Sequence, residues 1–203
     1  MADDGRGAGY AKGRRTRAEI VSAAFLAFSE SGFRGATMSD IAARCGVTRA
    51  GLSHHFDSKE ALLAAALEER DRVVGELIYA GADPAGDGED YLRRIVRSVE
   101  HNVATPHIVA LFATLSAEAV DAAHPAHAYF AARYRTLRED LRDALQELAG
   151  RGAVREGVDL AGLDVELVAL IDGLQLQWLL EPDRIDMAGG LRRRLREVLT
   201  IRL

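Results

Sequence analysis

Apolar side chains recur every three or four residues along almost the whole chain, and no convincing run alternates as a half-buried strand would. That periodicity confines the fold to helices packed on helices. Glycine, proline and capping residues then divide the pattern. Residues 16–31 place Ile20, Ala23, Ala24, Ala27 and Phe28 on one face, and Gly32 follows where a left-handed C-cap is wanted. Thr37 offers an N-cap with Asp40 three residues on; Ile41, Ala42 and Cys45 make a short apolar face before Gly46. Thr48 caps a second short helix running to about His55, with Leu52 and Phe56 facing inward, and Asp57 or Ser58 caps a longer one over 59–80.

The stretch 81-GADPAGDGED-90 is the one clear long loop. A helix over 91–104 follows, with Leu92, Ile95, Val96, Val99 and Val103 at helical spacing, and Thr105-Pro106 reads as the N-cap and first residue of the next. Pro125 opens a helix whose stripe of Phe130, Tyr134, Leu137, Leu141, Leu145 and Leu148 ends at Gly150. Two more, about 164–180 and 186–202, flank 181-EPDRID-186. The expectation is an all-α chain of nine helices.

A chain of 203 residues can bury roughly 70% of its unfolded surface, so no disulfide or metal is needed to hold it together. The single Cys45 has no internal partner, which suits a reducing compartment. The Arg14-Arg15 pair has no apolar run behind it, and nowhere is there an apolar run near the roughly 18 residues of a membrane span. A cytoplasmic protein without a secretory leader is expected. Its net charge of −5 is unevenly spread: residues 10–59 carry eight basic and four acidic groups, which leaves −9 for the remainder. A basic front on an acidic body is the asymmetry of a protein whose front alone meets an anion, although a solvated surface of uneven charge would look the same.

Two short helices joined through Gly46-Val47 make a helix-turn-helix, the first packed by small Ala42 and the second capped by Thr48. In such a unit the N-terminal part of the second helix enters the major groove of DNA. The residues it would offer to bases are Thr48, Arg49, Ala50, Gly51, Ser53 and His54. Arg can bond guanine bidentately, and the Ala50 methyl can meet a thymine methyl.

The run from Arg15 to Leu63 resembles the N-terminal domain of the TetR family of transcriptional regulators. It carries Ile20, G-F-R-G-A-T at 32–37, I-A at 41–42, G-V-T at 46–48, H-F at 55–56 and S-K-E-A-L-L at 58–63. The stretch 171-IDGLQLQWLLEP-182 is similar to the dimerising C-terminal half of one branch of that family. The resemblance implies a flexible tail over 1–13, a three-helix DNA-binding domain over 14–58 and a ligand-sensing, dimerising domain over 59–203. It implies that Arg49, Ala50, Gly51, Ser53 and His54 face bases while Thr37, His55 and Lys59 hold phosphates. Ser53 stands where the family usually has Tyr, so a common aromatic contact is missing. The tail segment 12-KGRRTR-17 either reaches the minor groove or merely solubilises.

A dimeric repressor released from a palindromic operator by a small ligand is the implied function; a ligand-independent or activating regulator is the alternative. Phe112, Tyr129, Phe130, Tyr134 and Trp178 are candidate aromatic lining, with His101, Asn102, His107, Asp172, Gln175 and Gln177 as polar contacts. Phe112, Tyr134, Gln175 and Trp178 are the preferred pocket residues. Residues 165–180 are apolar around nearly the whole circumference, so this helix needs cover on all sides. A second copy is the economical cover, through Leu170, Leu174, Leu191, Leu195, Val198 and Ile201, with full burial inside one subunit as the alternative. An all-helical metalloenzyme using His124, His127 and either Asp121 or Glu118 is a remote competitor, as is a scaffold whose helix pair touches protein. Adjacent His54 and His55 point about 100° apart on a helix and do not converge on one ion. No cofactor, metal or catalytic residue is called for.

Overall fold

The computed structural model describes the backbone of residues 5–203 and the side chains of 13, 15–72, 75–76 and 78–203. Among the described residues there are nine α-helices: α1 (Gly5–Gly35), α2 (Met38–Arg44), α3 (Arg49–His55), α4 (Lys59–Ile78), α5 (Gly88–Ala104), α6 (Pro106–Glu118), α7 (His127–Gly150), α8 (Leu163–Leu180) and α9 (Met187–Val198). The caps act where the sequence puts them. Thr37, Thr48 and Ser58 each accept a backbone N–H three residues on, at the starts of α2, α3 and α4.

The boundaries differ in instructive places. The first helical run begins at Gly5, well before the expected 16, and Gly32 (φ 68, ψ 178) breaks it where an end is expected, with a short second helical piece beyond it to Gly35. Residues 1–4 of the expected tail lie outside the described residues, as do the side chains of Lys12 and Arg14 in the basic segment. Asp87 rather than the loop's end caps α5, its carboxylate accepting from Asp90 N–H. Pro125 does not open α7, because Asp121–Ala126 is a tight turn held by His124 N–H to Asp121 C=O and His127 N–H to His124 C=O. The last helix stops at Val198, where the chain turns back to pair Val154 with Leu199. Ile201 is therefore not on its face.

Two apolar cores result. The first joins α5, α7, α8 and α9 through Tyr91, Leu92, Val96, Leu141, Leu145, Leu167, Leu191, Leu195 and Val198. The second gathers α1–α3 and the first half of α4, but Leu111 and Leu115 of α6, Ala119 just after it and Phe130 of α7 are part of it too. The helix-turn-helix thus rests on the body, not beside it.

These cores correct one expectation. Leu191, Leu195 and Val198 are 1%, 2% and 0% exposed, so they fill the subunit's own interior and offer no surface to a second copy. Leu170 and Leu174 are half-buried against the same core. The helix expected to be apolar all round does keep an uncovered stripe, but it is formed by Val165, Leu176 and Leu180, exposed by 53%, 55% and 75%.

Candidate functional site

The short helix α3 is anchored from below. Leu52 and Phe56 are buried, and Ile41 and Ala42 of α2 join them in the core. Gly46 (φ 68) supplies the left-handed turn between the two helices, and Val47 N–H closes it onto Ala42 C=O at 3.0 Å. With one face pinned, the other is free. Thr48, Arg49, Ala50, Ser53 and His54 are exposed, and Gly51 and His55 half-exposed. Thr48 Oγ1 accepts the Gly51 N–H at 3.0 Å, so that hydroxyl is partly committed to the cap. The His54 and His55 rings meet edge to face, 5.6 Å apart. The unit is also braced by Arg44 of α2, which grips Glu30 of α1 through Nη1 and Nη2. That hydrogen bond holds the Glu30 carboxyl below its ordinary range.

Lys59 departs from expectation. Its ammonium donates to Phe33 C=O at 2.7 Å and Ala36 C=O at 3.0 Å, and lies 4.3 Å from the centre of the Phe33 ring. It holds the end of α1 to the start of α4, and a phosphate would have to compete for it. Thr37 is exposed, with its hydroxyl bonded to the Asp40 carboxylate at 2.6 Å.

A second clamp was not foreseen. Glu118, at the end of α6, accepts Phe33 N–H at 2.7 Å and sits where any Cβ on Gly32 would have to go. Arg34 pairs with Asp121 at 2.5 Å, and buried His124 packs its ring edge-on against Phe33. The Ala126 N–H donates to His124 Nδ1, and the Ala119 carbonyl lies 2.8 Å from His127 Nδ1. Of the residues weighed as metal ligands, Glu118, Asp121 and His124 therefore join the body to the end of α1, whereas His127 bonds within the body. Among the described residues, no three metal-ligating side chains converge.

Between α4, α6, α7 and α8 lies a cavity of about 480 Å³. Phe112, Tyr134 and Gln175 line it together with Asn102 and Asp172. Trp178 does not: it is 6% exposed and packed in the first core. Tyr134 donates its hydroxyl to Asp172 at 2.8 Å. Burial raises the Asp172 carboxyl above its ordinary value, opposed by that hydrogen bond and by the charge of Arg133. Tyr129 turns aside to donate to Asp71 at 2.8 Å, and Phe130 belongs to the core beneath the DNA-binding unit.

Arg70 and Arg133, both in this wall, were missed. Their guanidinium carbons lie 3.9 and 4.9 Å from the centre of the Phe112 ring. Arg70 carried a readable signal, since it follows Leu63, Ala66 and Leu67 on the buried stripe of α4. A larger open groove of about 790 Å³ runs along α1, α4 and α6, bordered by Phe25, Leu26, Arg17, Glu68, Arg72 and His107. His107 thus faces that groove and not the smaller cavity.

Comparison with known proteins places this geometry. Residues 20–66 match the model of bacterial regulatory proteins of the tetR family, and residues 88–201 match that of the BetI-type transcriptional repressor C-terminal domain. The chain is 32% identical over 177 residues to the HTH-type transcriptional repressor KstR2 of Rhodococcus jostii, covering 82% of this chain and 76% of the relative. It is 27% identical over 185 residues to the HTH-type transcriptional regulator TtgR of Pseudomonas putida, covering 89% and 88%. A solved TetR transcriptional regulator from Chloroflexus aurantiacus superposes with a TM-score of 0.70 at 26% identity, covering 90% of this chain and 91% of that one. The SmeT–triclosan complex shares the fold, with a TM-score of 0.72 at 21% identity and 92% of each chain covered. No helix of the described residues is long and apolar enough to cross a membrane. A helix-turn-helix with an exposed recognition face, mounted on a helical body with a cavity and matched along both halves, leads to one assignment: the chain belongs to the tetR family of bacterial regulatory proteins and is a DNA-binding transcriptional regulator, not an enzyme.

Proposed function

We propose that this regulator is a cytoplasmic dimeric repressor which leaves a palindromic operator when a small ligand fills the cavity between α4, α6, α7 and α8. The observation that carries the reading is the position of α4. Its first residue, Lys59, is tied to the end of α1, and its buried Arg70 forms part of the cavity wall. One helix therefore touches both the recognition unit and the cavity. A ligand that prefers a tilted α4 would change the separation of two recognition helices, which must lie about 34–36 Å apart to meet successive major grooves. By linkage, the operator must then weaken ligand binding by the same factor.

In this reading Arg49, Ala50, Gly51, Ser53 and His54 read bases, with Thr48 at the edge of the set. Thr37 and His55 contact phosphates, while Lys59 positions α4. The two-fold contact forms on the exposed stripe of α8, supported by Leu170 and Leu174. Selecting random duplexes with the purified protein tests this directly. It should return a palindrome, and a ligand found by screening should release that duplex. A ligand that saturates the cavity and leaves operator affinity unchanged would remove the induction mechanism and leave a constitutive or activating regulator.

A further inference from the structure

Two guanidinium groups, Arg70 and Arg133, stand over one aromatic ring in the cavity wall. Arg70 is 8% exposed, yet its Nε has no hydrogen-bond partner. A buried donor left unmet costs roughly 1–3 kcal/mol, more for a charged group, so such a group is held ready for a partner. Its one ion pair runs from Nη1 to Asp71 at 3.0 Å, and that carboxylate is shared with the Tyr129 hydroxyl. Arg133, on α7, also stacks near the Phe112 ring, and its charge is felt by Asp172 across the cavity. Burial first, and then the like charge of Arg133, pushes the Arg70 guanidinium down to about 10, still protonated at neutral pH. The carboxylate in the lining, Asp172, is raised by burial, opposed by the Tyr134 hydroxyl that donates to it and by the charge of Arg133. Most of the remaining lining is apolar, including Ile108, Val109, Val168 and Ile171.

We infer that the cavity takes an amphipathic organic anion, with its carboxylate, sulfonate or similar group between Arg70 and Arg133 and its flat apolar body along Phe112. The planar guanidinium presents Nε–H and Nη–H as a fork that matches two oxygens of such a group. The inference rests on the proposed role of this cavity and adds the charge of its ligand. It also gives the switch a direction. Without ligand, two like charges push α4 and α7 apart; an anion between them removes the repulsion and draws α4 toward α7.

The test uses two fluorescent probes with the same rings, 1-anilinonaphthalene-8-sulfonate and its uncharged parent N-phenyl-1-naphthylamine. The full-length protein should bind the sulfonate at least about tenfold more tightly than the parent, the size of one charge-assisted hydrogen bond. Arg133→Gln should remove most of that preference, leaving the parent's affinity within about twofold. Arg70→Gln should do the same if it folds, and Ala113→Trp, which fills the cavity, should abolish binding of both probes. Equal affinity for the two probes, or a preference untouched by Arg133→Gln, overturns the anion inference while leaving a ligand cavity in place. Binding of neither probe, or binding untouched by Ala113→Trp, overturns it together with the role of the cavity. Retention of the selected operator, followed by anisotropy in the same samples, reports separately on the DNA-binding reading.

Discussion

At the level of single residues, the recognition face and its supports respond to different measurements. Arg49 is exposed and has no role in the core, so Arg49→Ala should leave the melting temperature unchanged. If it pairs with guanine, its loss should weaken operator binding by about 1–3 kcal/mol and relax preference at one position of each half-site. Lys59 should behave the other way. Its two carbonyl bonds and its place near Phe33 make Lys59→Met a folding defect of about 2 kcal/mol in chemical denaturation. The salt dependence of DNA binding should stay the same, whereas loss of a phosphate contact would reduce its slope by about one. Asp172 offers a pH test. Because burial raises its folded pKa, the protonated form favours the fold, and that contribution is lost as pH climbs through the folded value. Asp172→Asn should therefore melt above the wild type at neutral pH, with the gap closing toward pH ~4, where both carboxamide and carboxyl are uncharged. A gap that widens on acidification would reverse the sign assigned to this group.

At the level of elements, the sequence makes the helix-turn-helix legible because its signals are local. Thr37, Thr48, Ser58 and Gly46 act within three residues of themselves, and a cap or a positive φ needs no knowledge of the rest of the fold. Phe112, Tyr134 and Gln175 were likewise reachable, as large or polar groups on helices bound to meet. The errors came from long-range partners. Nothing near Lys59 announces that carbonyls of residues 33 and 36 await it, and nothing near Gly32 announces Glu118. The stripe of α9 looked available for dimerisation because periodicity reveals an apolar face but not what covers it; α5 and α8 do. Trp178 fell outside the cavity for the same reason, since sequence shows that it is apolar but not that the first core covers it. The exposed stripe of α8 carries the dimer prediction. Leu180→Glu leaves the subunit core intact but puts a carboxylate on that face in both copies. In sedimentation, the dimer dissociation constant should rise about a hundredfold or more. An unchanged dimer would move the interface elsewhere.

At the level of the whole molecule, the second core explains how body and reader act together. Leu111 and Leu115 of α6 and Ala119 just after it share it with α1–α3, while Lys59, Glu118 and Asp121 tie the end of α1 to α4 and to the end of α6. Such a unit turns with the body, and two of them in a dimer would keep a fixed separation. That fixed separation is the central claim, and inserting base pairs at the centre of the selected operator measures it most directly. Five extra base pairs turn one half-site to the opposite face of the duplex, since a turn takes about 10–10.5 base pairs. Anisotropy titration should then show affinity falling to the nonspecific level, by about a thousandfold or more. Undiminished affinity for the five-base-pair insertion would contradict paired, rigidly spaced recognition helices.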